Sequence, residues 1–145
     1  MMKKIIKIIK LNIKGGKANP SPPIGPILGS VGINIIDFCN KFNKKTNKYK
    51  DLIIPVIIKV FIDKTFVLKI KKQTIKDKIF NLLNINKGSK LPKKENISEI
   101  NYSEIKKIAK YKMSDLNCFK IKSAISMIIG TLKSIGINII NYEKK

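Results

Sequence analysis

The sequence predicts an α+β fold, with a small N-terminal α+β domain followed by a compact three-helix domain. In the first half, apolar runs typical of strands flank one amphipathic helix, whereas apolar residues recur at helical spacing in the second half. The chain has 145 residues and 43% hydrophobic content, which suffices for packed cores. We place the N-terminal domain at residues 1–71, a linker at 72–75 and the C-terminal helical domain at 76–145.

The first segment, "MMKKIIKIIKLNIK", fits two structures. Its lysines recur every three or four residues, which would give a helix a basic stripe and an isoleucine face suited to a membrane surface. Its isoleucines are β-branched and the pair Gly15 and Gly16 follows as a turn, which favours a strand. The pattern leaves both open, and a basic amphipathic membrane-surface protein therefore stands as the alternative function.

Four of the six prolines lie between residues 20 and 26 in the stretch "ANPSPPIGPILG". Proline fixes φ and lacks a backbone donor, so this segment is expected to stay out of sheets and helix interiors. A stiff connector and a preformed docking surface fit equally well. A phosphate-binding P-loop does not fit, because Lys17 leads into Ala18 and Asn19 instead of opening a helix.

The rest of the first half contains a helix and a hairpin. Asn34 is predicted to cap a helix with Phe38, Cys39 and Phe42 on its apolar face. Residues 52–62 form a buried strand in which Pro55 implies an edge or strand-start position. A turn at residues 63–64 leads into a second strand of alternating pattern, with Phe66, Leu68 and Ile70 on one face.

Three helices are predicted in the second half. Thr74 with Asp77, and Asn101 with Glu104, have the spacing of capping boxes at the starts of the first two. The third helix runs through "FKIKSAISMIIGTLKSIG". The predicted apolar positions of the three helices are Ile75, Ile79, Leu82 and Leu83, then Ile105, Ile108 and Ala109, then Ile121, Ile125, Ile128, Leu132 and Ile135.

Two features of this half predict a nucleic-acid face. The loop "NKGSKLPKKEN" is basic and contains Gly88 and Pro92, and no core is expected to hold it in place. The last helix ends in small or hydroxyl residues, namely Gly130, Thr131, Ser134 and Gly136. Small residues allow close approach, and hydroxyls bond phosphate or 2′-OH groups. Solvated lysines on any surface would look similar, which is the simpler alternative.

The net charge of +22 makes nucleic acid the first partner to consider. All 31 basic residues are lysine, and each half of the chain carries +11, from 14 lysines against 3 acids and from 17 against 6. Lysine, isoleucine and asparagine also accumulate in AT-rich genomes, and this compositional bias is the alternative explanation for the charge at any single lysine.

The sequence contains few of the residues that enzymes use for catalysis. The chain has no histidine, and Cys39 and Cys118 stand far apart, so neither a metal site nor a redox motif is predicted. We expect both thiols to be reduced and buried, and we expect no enzyme activity and no cofactor. Neither a targeting segment nor a membrane span is evident, which predicts a cytosolic or organellar-matrix protein.

The segment "KANPSPPIGPILGSVGINIIDFCNKFN" closely resembles the signature of the bacterial large-subunit ribosomal protein eleven family, the stalk-base proteins. The stretches "IPVIIKVFIDKTF", "KGSKLP", "IKKIAKYKMSDLN" and "IIGTLKSIGI" resemble the same family in the same order. The resemblance covers residues 3 to about 140.

The resemblance implies that the first segment is a strand and that the helical domain binds the GTPase-associated region of large-subunit rRNA. The N-terminal domain would lie over the same RNA, in a ribosome of the cytoplasm or an organelle matrix. Stalk ribosomal proteins and, transiently, translational GTPases would be its other partners. The implied RNA-binding residues are Lys87, Gly88, Ser89, Lys90, Lys112, Asn117, Gly130, Thr131, Lys133 and Ser134, with the loop around Gly88 ordering on RNA. The implied cleft for factors and thiopeptides contains Pro20, Pro22, Pro23 and Pro26.

Three departures from the family pattern change these expectations. The usual Thr-Pro-Pro at the domain junction is replaced by Lys72, Gln73 and Thr74, which should make the hinge less stiff. Leu132 stands where a small residue usually follows the Gly-Thr pair, and is expected to face the core. Asn40 replaces a lysine that is methylated in some members, so that modification is not expected.

Overall fold

The computed structural model describes residues 3–142 and divides the chain into two compact units, with the boundary between Thr74 and Ile75. We call residues 3–74 the N-terminal unit and residues 75–142 the C-terminal unit. Each unit has its own cluster of buried apolar side chains, centred on Phe38 and Ile58 in the first and on Ile108 and Leu132 in the second.

The N-terminal unit contains an antiparallel sheet in the order β1-β2-β3, formed by β1 (Ile5–Lys14), β2 (Ile53–Phe61) and β3 (Phe66–Ile70). The first segment is therefore a strand, as the family resemblance implied. Its isoleucines are β-branched, and pairing along β2 satisfies their backbone groups. The basic helix on which the membrane-surface alternative depended does not form.

Pro55 lies near the start of the central strand, so of the two positions predicted for it, an edge and a strand start, the edge is wrong. It is the third residue of β2 and pairs with Asn12 of β1. On the other side, its carbonyl accepts from Lys71 N–H at 2.9 Å, one residue beyond the end of β3. A backbone N–H at residue 55 would point to the same side as this carbonyl, towards Lys71. Regular pairing between β2 and β3 has already ended there, so the missing N–H of proline costs no hydrogen bond within the sheet.

The predicted hairpin is confirmed. Lys64 has a φ of 59° in the turn between β2 and β3. In β3 the three residues expected on one face are partly buried, whereas Val67 between them is 53% exposed. This alternation places one face of the sheet on the core and leaves the other in solvent.

Two helices cover the buried face. The proline segment leads into α1 (Ile24–Gly29), and Pro26 is its third residue, within the first turn, so the expectation that these prolines stay out of helix interiors is met. Donors in a first helical turn have no intrahelical partner, so Pro26 costs no hydrogen bond there. In α2 (Ile35–Thr46), Asn34 Oδ1 accepts from the N–H groups of Ile36 and Asp37 at 3.1 and 3.3 Å, which confirms the predicted cap.

The C-terminal unit contains the three predicted helices, α3 (Ile75–Leu83), α4 (Tyr102–Lys112) and α5 (Ile121–Ile135). It also contains a parallel pair of strands that was not predicted, β4 (Ser98–Asn101) and β5 (Ile137–Ile140). Strands of four residues are too short to show alternation, so "SEIN" and "INII" give no strand signal in the sequence.

The apolar faces of these helices differ from the prediction at two positions. Leu82 is 50% exposed, because Leu83 next to it takes the core-facing position in that turn of α3. Ile121 is 43% exposed at the first residue of α5. Leu132 is fully buried, as predicted from the departure at this position.

Asn101 occupies the N-cap position of α4, but its side chain makes no capping hydrogen bond, so the predicted capping box is not formed. Asn101 is also the last residue of β4, with its backbone extended at φ −76° and ψ 141°. Strand pairing therefore determines how the chain enters this helix. Among residues 3–142, no helix is long and apolar enough to span a bilayer.

Candidate nucleic-acid interface

The candidate interface consists of the C-terminal half of α5 and residues 87–97, which we call the basic loop. The loop is anchored by its backbone: Ser89 N–H donates to Ile135 O at 2.8 Å, and Ile97 N–H donates to Gly136 O at 2.8 Å. Among the described residues, none in the loop belongs to the buried apolar cluster, as expected, but hydrogen bonds to the end of α5 hold the loop in place instead. The end of α5 holds both ends of it, since the last carbonyls of a helix lack intrahelical partners.

Gly136 makes this packing feasible. It ends α5 with φ 88° and ψ 37°, a left-handed conformation that favours glycine. A Cβ at this position would lie 2.6 Å from Ser89 Cβ and 3.0 Å from the carbonyl oxygen of Glu95. Gly88 is also close to the helix, because its Cβ would lie 3.2 Å from Ile135 Cγ2. The two glycines bring the basic loop against α5.

Gly130 and two hydroxyl residues form the exposed surface of α5 beside this loop. Nothing lies within 4 Å of a Cβ built on Gly130, so its backbone is open to a ligand. Thr131 Oγ1 donates to Met127 O at 3.1 Å, and Ser134 Oγ donates to Thr131 O at 2.6 Å. Since both hydroxyl hydrogens are used within the helix, these oxygens present acceptor lone pairs outward, which suits 2′-OH donors.

An open groove of about 820 Å³ lies between the basic loop and the end of α5. Lysine side chains line it from both sides, Lys93 and Lys94 from the loop and Lys133 from the helix. Leu91, which is 53% exposed, and Pro92 add apolar contact surface. No acidic residue occurs among the described lining residues. This combination suits a polyanion with an apolar or stacked component.

The structure brings most of the predicted RNA-binding residues together. Lys87 and Lys90 are exposed on the basic loop, and Ser89, bonded to Ile135, places that loop beside Lys133 and Ser134. Asn117 is exposed in the segment that precedes α5, at the opposite end of that helix from the residues that hold the loop.

Lys112 differs from the other predicted residues. It is only 8% exposed, and its Nζ lies 3.1 Å from Asp115 Oδ2. Because this ammonium is buried with a carboxylate, it does not present a free charge on the surface. The sequence around Lys112 gave no sign that this residue is buried, since lysine is rarely buried unless it is paired.

The prolines of the N-terminal unit lie on a separate surface. Pro20, Pro22, Pro23 and Pro26 are exposed, whereas Ile24 and Leu28 between and after them are buried in the core.

Hydrogen bonds hold this proline segment at both ends. Ser21 O accepts from the N–H groups of Ile24 and Gly25 at 3.2 and 3.4 Å. Ala18 exchanges two hydrogen bonds with the Asn43 side chain, at 2.8 and 3.0 Å. These bonds fix the backbone around the prolines, which suits a stiff connector and a preformed docking surface alike. The exposure of all four prolines is the further property that a docking surface requires.

Comparison with known proteins identifies the family. The family model described as ribosomal protein L11, N-terminal domain, matches residues 9–66, and the one described as ribosomal protein L11, RNA binding domain, matches residues 71–139. The chain belongs to the ribosomal protein L11 family. It is 51% identical over 140 residues to the large ribosomal subunit protein uL11 of Karelsulcia muelleri (strain GWSS), covering 97% of this chain and all of that protein. The corresponding protein of Parabacteroides distasonis is 44% identical over 139 residues, covering 96% and 95%.

Membership in the ribosomal protein L11 family confirms the predicted resemblance and the expectation of a non-enzymatic protein. The candidate interface lies within residues 71–139, which match the RNA binding domain of that family. The α+β fold class is confirmed as well, with the short β4 and β5 pair as an addition to the three helices.

The candidate interface contains residues that the sequence pattern did not single out. Lys93 and Lys94 line the groove with Lys133 but were not singled out. Ser123, Ser126 and Met127 lie on the same exposed face as Gly130, at spacings of three, four and seven residues. Helical spacing counted backwards from Gly130 is the signal that could have identified them.

Proposed function

We propose that this chain binds the GTPase-associated region of large-subunit rRNA through the basic loop and the exposed face of α5. It would act as a structural constituent of the large ribosomal subunit, in ribosomes of the cytoplasm or an organelle matrix. One observation carries the proposal: within the unit that matches an RNA binding domain, Gly136 and the Ser89 to Ile135 hydrogen bond hold a lysine-rich loop against a helix end of small and hydroxyl residues.

Each part of this face supplies a different interaction with RNA. Lysines of the loop and Lys133 neutralise phosphates as point charges. Gly130 lets the RNA backbone approach the helix, and the Thr131 and Ser134 oxygens accept from 2′-OH groups of a shallow minor groove. Since these contacts read shape and sugar rather than base edges, recognition of a compact RNA fold is favoured over recognition of a linear sequence.

The proposed RNA-binding set follows the sequence prediction with one change of role. Lys112, paired with Asp115, supports the turn at residues 113–115 that leads towards α5, instead of contacting phosphate. The residues proposed to contact RNA are Lys87, Gly88, Ser89, Lys90, Asn117, Gly130, Thr131, Lys133 and Ser134, to which the groove adds Lys93 and Lys94.

The proline surface of the N-terminal unit is proposed to face the translational GTPases, and the cleft in which thiopeptides bind the family. Its exposed prolines lose little entropy on binding, which suits repeated, transient contact. Stalk ribosomal proteins are proposed as neighbours in the same assembly.

Residues 72–74, at the junction of the two domains, lack the prolines usual in the family, so we propose a hinge that bends more easily than in other members.

Titration of the full chain with a fragment of the GTPase-associated region, beside an unrelated hairpin of equal length, tests this proposal. Measurements at several salt concentrations separate the charge contribution to affinity from the contribution of specific contacts. The fragment should bind about 100-fold more tightly or better, and its affinity should fall steeply with salt because lysine contacts release counterions. Equal affinity for both RNAs would show that the protein binds RNA through charge alone, without specificity, and would refute the proposal.

A further inference from the structure

A second groove on the C-terminal unit lies away from the basic loop and shares Ser126 with the exposed face of α5 described above. It has a volume of about 860 Å³ and lies between the first half of α5, the start of α4 and the end of β5. Tyr102 and Tyr142 line one part of it, and Lys122 and Ser126 line another, with isoleucines between them.

The two tyrosines form an aromatic platform. Their ring centroids are 5.3 Å apart and the ring planes are inclined by 52°. Tyr142 is 41% exposed, so much of its surface is open to the groove. Lys106 Nζ lies 5.0 Å from the centroid of the Tyr102 ring. Aromatic rings that are held in place and partly open are the elements on which single-stranded nucleic acids stack their bases.

The charges of the groove favour an anionic ligand. Lys122 lines the groove, Lys106 lies at its edge, and no acid occurs among the described lining residues. Ser126 Oγ donates to Lys122 O at 3.0 Å, which leaves its lone pairs to accept, and the Asn141 amide offers both donors and an acceptor. A planar base that carries hydrogen-bonding groups and a phosphate matches all of these contacts.

The groove is continuous with the proposed RNA face. Ser126 lies one helical turn before Gly130, about 6 Å along the axis of α5, and on the same exposed side. RNA lying along α5 would therefore reach Lys122 and the tyrosines without leaving the protein surface.

We infer that this groove takes one unpaired base of the bound RNA, which stacks on Tyr142 while its phosphate lies against Lys122. The inference rests on the proposed function, because it uses the same RNA. It adds a stacking contact with an unpaired base to an interface that otherwise reads shape and charge.

The test uses the full chain, the GTPase-region RNA fragment and the variants Tyr142→Ser and Tyr142→Phe. Tyr49→Ser is the matched control, since Tyr49 is 50% exposed and belongs to the N-terminal unit. Loss of one stacked base should weaken binding by about fivefold or more in Y142S, whereas Y142F and Y49S should bind like wild type. In chemical probing, one unpaired base protected by wild type should become reactive in the Y142S complex alone.

Lys122→Gln provides a second variant that leaves the tyrosines in place. It should weaken binding and lower the slope of log affinity against log salt by about one. If Y142S binds and protects every base as wild type does, the base site is overturned while RNA binding through α5 stands. If wild type does not prefer this fragment to an unrelated hairpin, the proposed function fails and the base site fails with it.

Discussion

Replacing Gly130 by alanine should make the protein more stable and its RNA binding weaker. Gly130 is exposed within α5, and nothing lies within 4 Å of the added Cβ. The free energy of unfolding of the C-terminal unit should therefore rise by about 0.5–1 kcal/mol, because alanine loses less backbone entropy in a helix than glycine does. For a unit of this size that corresponds to a rise in melting temperature of about 2–8 °C.

RNA binding should change in the opposite direction. If the RNA backbone packs directly on Gly130, a methyl group inserted between them acts like overpacking in a core, which costs about 1–3 kcal/mol. The affinity for the GTPase-region fragment should then fall by about fivefold or more. Thermal unfolding of the free chain and titration of the RNA measure the two effects separately.

A matched control separates helix stabilisation from contact with RNA. Asn81→Ala also places alanine at an exposed helical position of the same unit, on α3, and should raise stability without lowering affinity. Unchanged RNA affinity in G130A would refute the close approach at Gly130. A loss of stability in G130A would refute the finding that this position is open.

Further predictions concern stability, domain autonomy and protonation. Gly136→Ala should destabilise the C-terminal unit by about 2–5 kcal/mol in denaturant unfolding, because it combines a strained φ with a Cβ too close to the basic loop; wild-type stability would contradict the anchoring of that loop. Residues 72–145 alone should retain specific RNA binding in the same titration, and a truncation without affinity would contradict the assignment of the interface. The hydrogen bond from Lys3, at 2.5 Å, lowers the pKa of Asp63 to about 2. The ionised Asp63 therefore stabilises the fold above pH 4, and this contribution is lost as the pH falls towards 2. The melting temperatures of wild type and Asp63→Asn should converge over that window, and a constant difference would refute this cause. Burial raises the pKa of the Cys39 thiol, so a thiol reagent at neutral pH should label it only after unfolding, and rapid labelling of the native chain would contradict its burial.

Local signals in the sequence were enough to predict most of the secondary structure. Asn34 marks the start of α2 because its side chain bonds two otherwise unpaired donors, an interaction confined to neighbouring residues. The helical spacing of α5 likewise predicts the burial of Leu132. In such cases the physical cause lies within one or two turns of chain.

Features that depend on long-range packing could not be predicted in this way. The pairing of β4 with β5 joins residues about 40 positions apart, and neither strand shows alternation of its own. The sequence around Gly136 does not show that the basic loop packs on it. The missing donor of Pro55 indicated an edge position, whereas its place in the central strand depends on where β3 ends. Burial of Lys112 depends on its pairing with Asp115 and on the surrounding fold.

In the candidate interface too, the residue types could be predicted from the sequence, whereas their arrangement in space could not. Composition and the residues of the basic loop and α5 predicted an RNA-binding face, because lysines, small residues and hydroxyls have recognisable chemistry. The sequence did not show that the loop is anchored to Ile135 and Gly136, nor that Lys93 and Lys94 share a groove with Lys133. Those relations depend on the distance between two elements, which a residue pattern does not specify.

Chemical-shift mapping of the backbone amides of the full chain, with and without the GTPase-region RNA fragment, tests most directly whether RNA binds this face. The largest changes should fall on the basic loop around Ser89 and on Gly130, Thr131 and Ser134 of α5. The contradicting result is saturation of the protein with RNA while these amides keep their free shifts and the changes fall elsewhere.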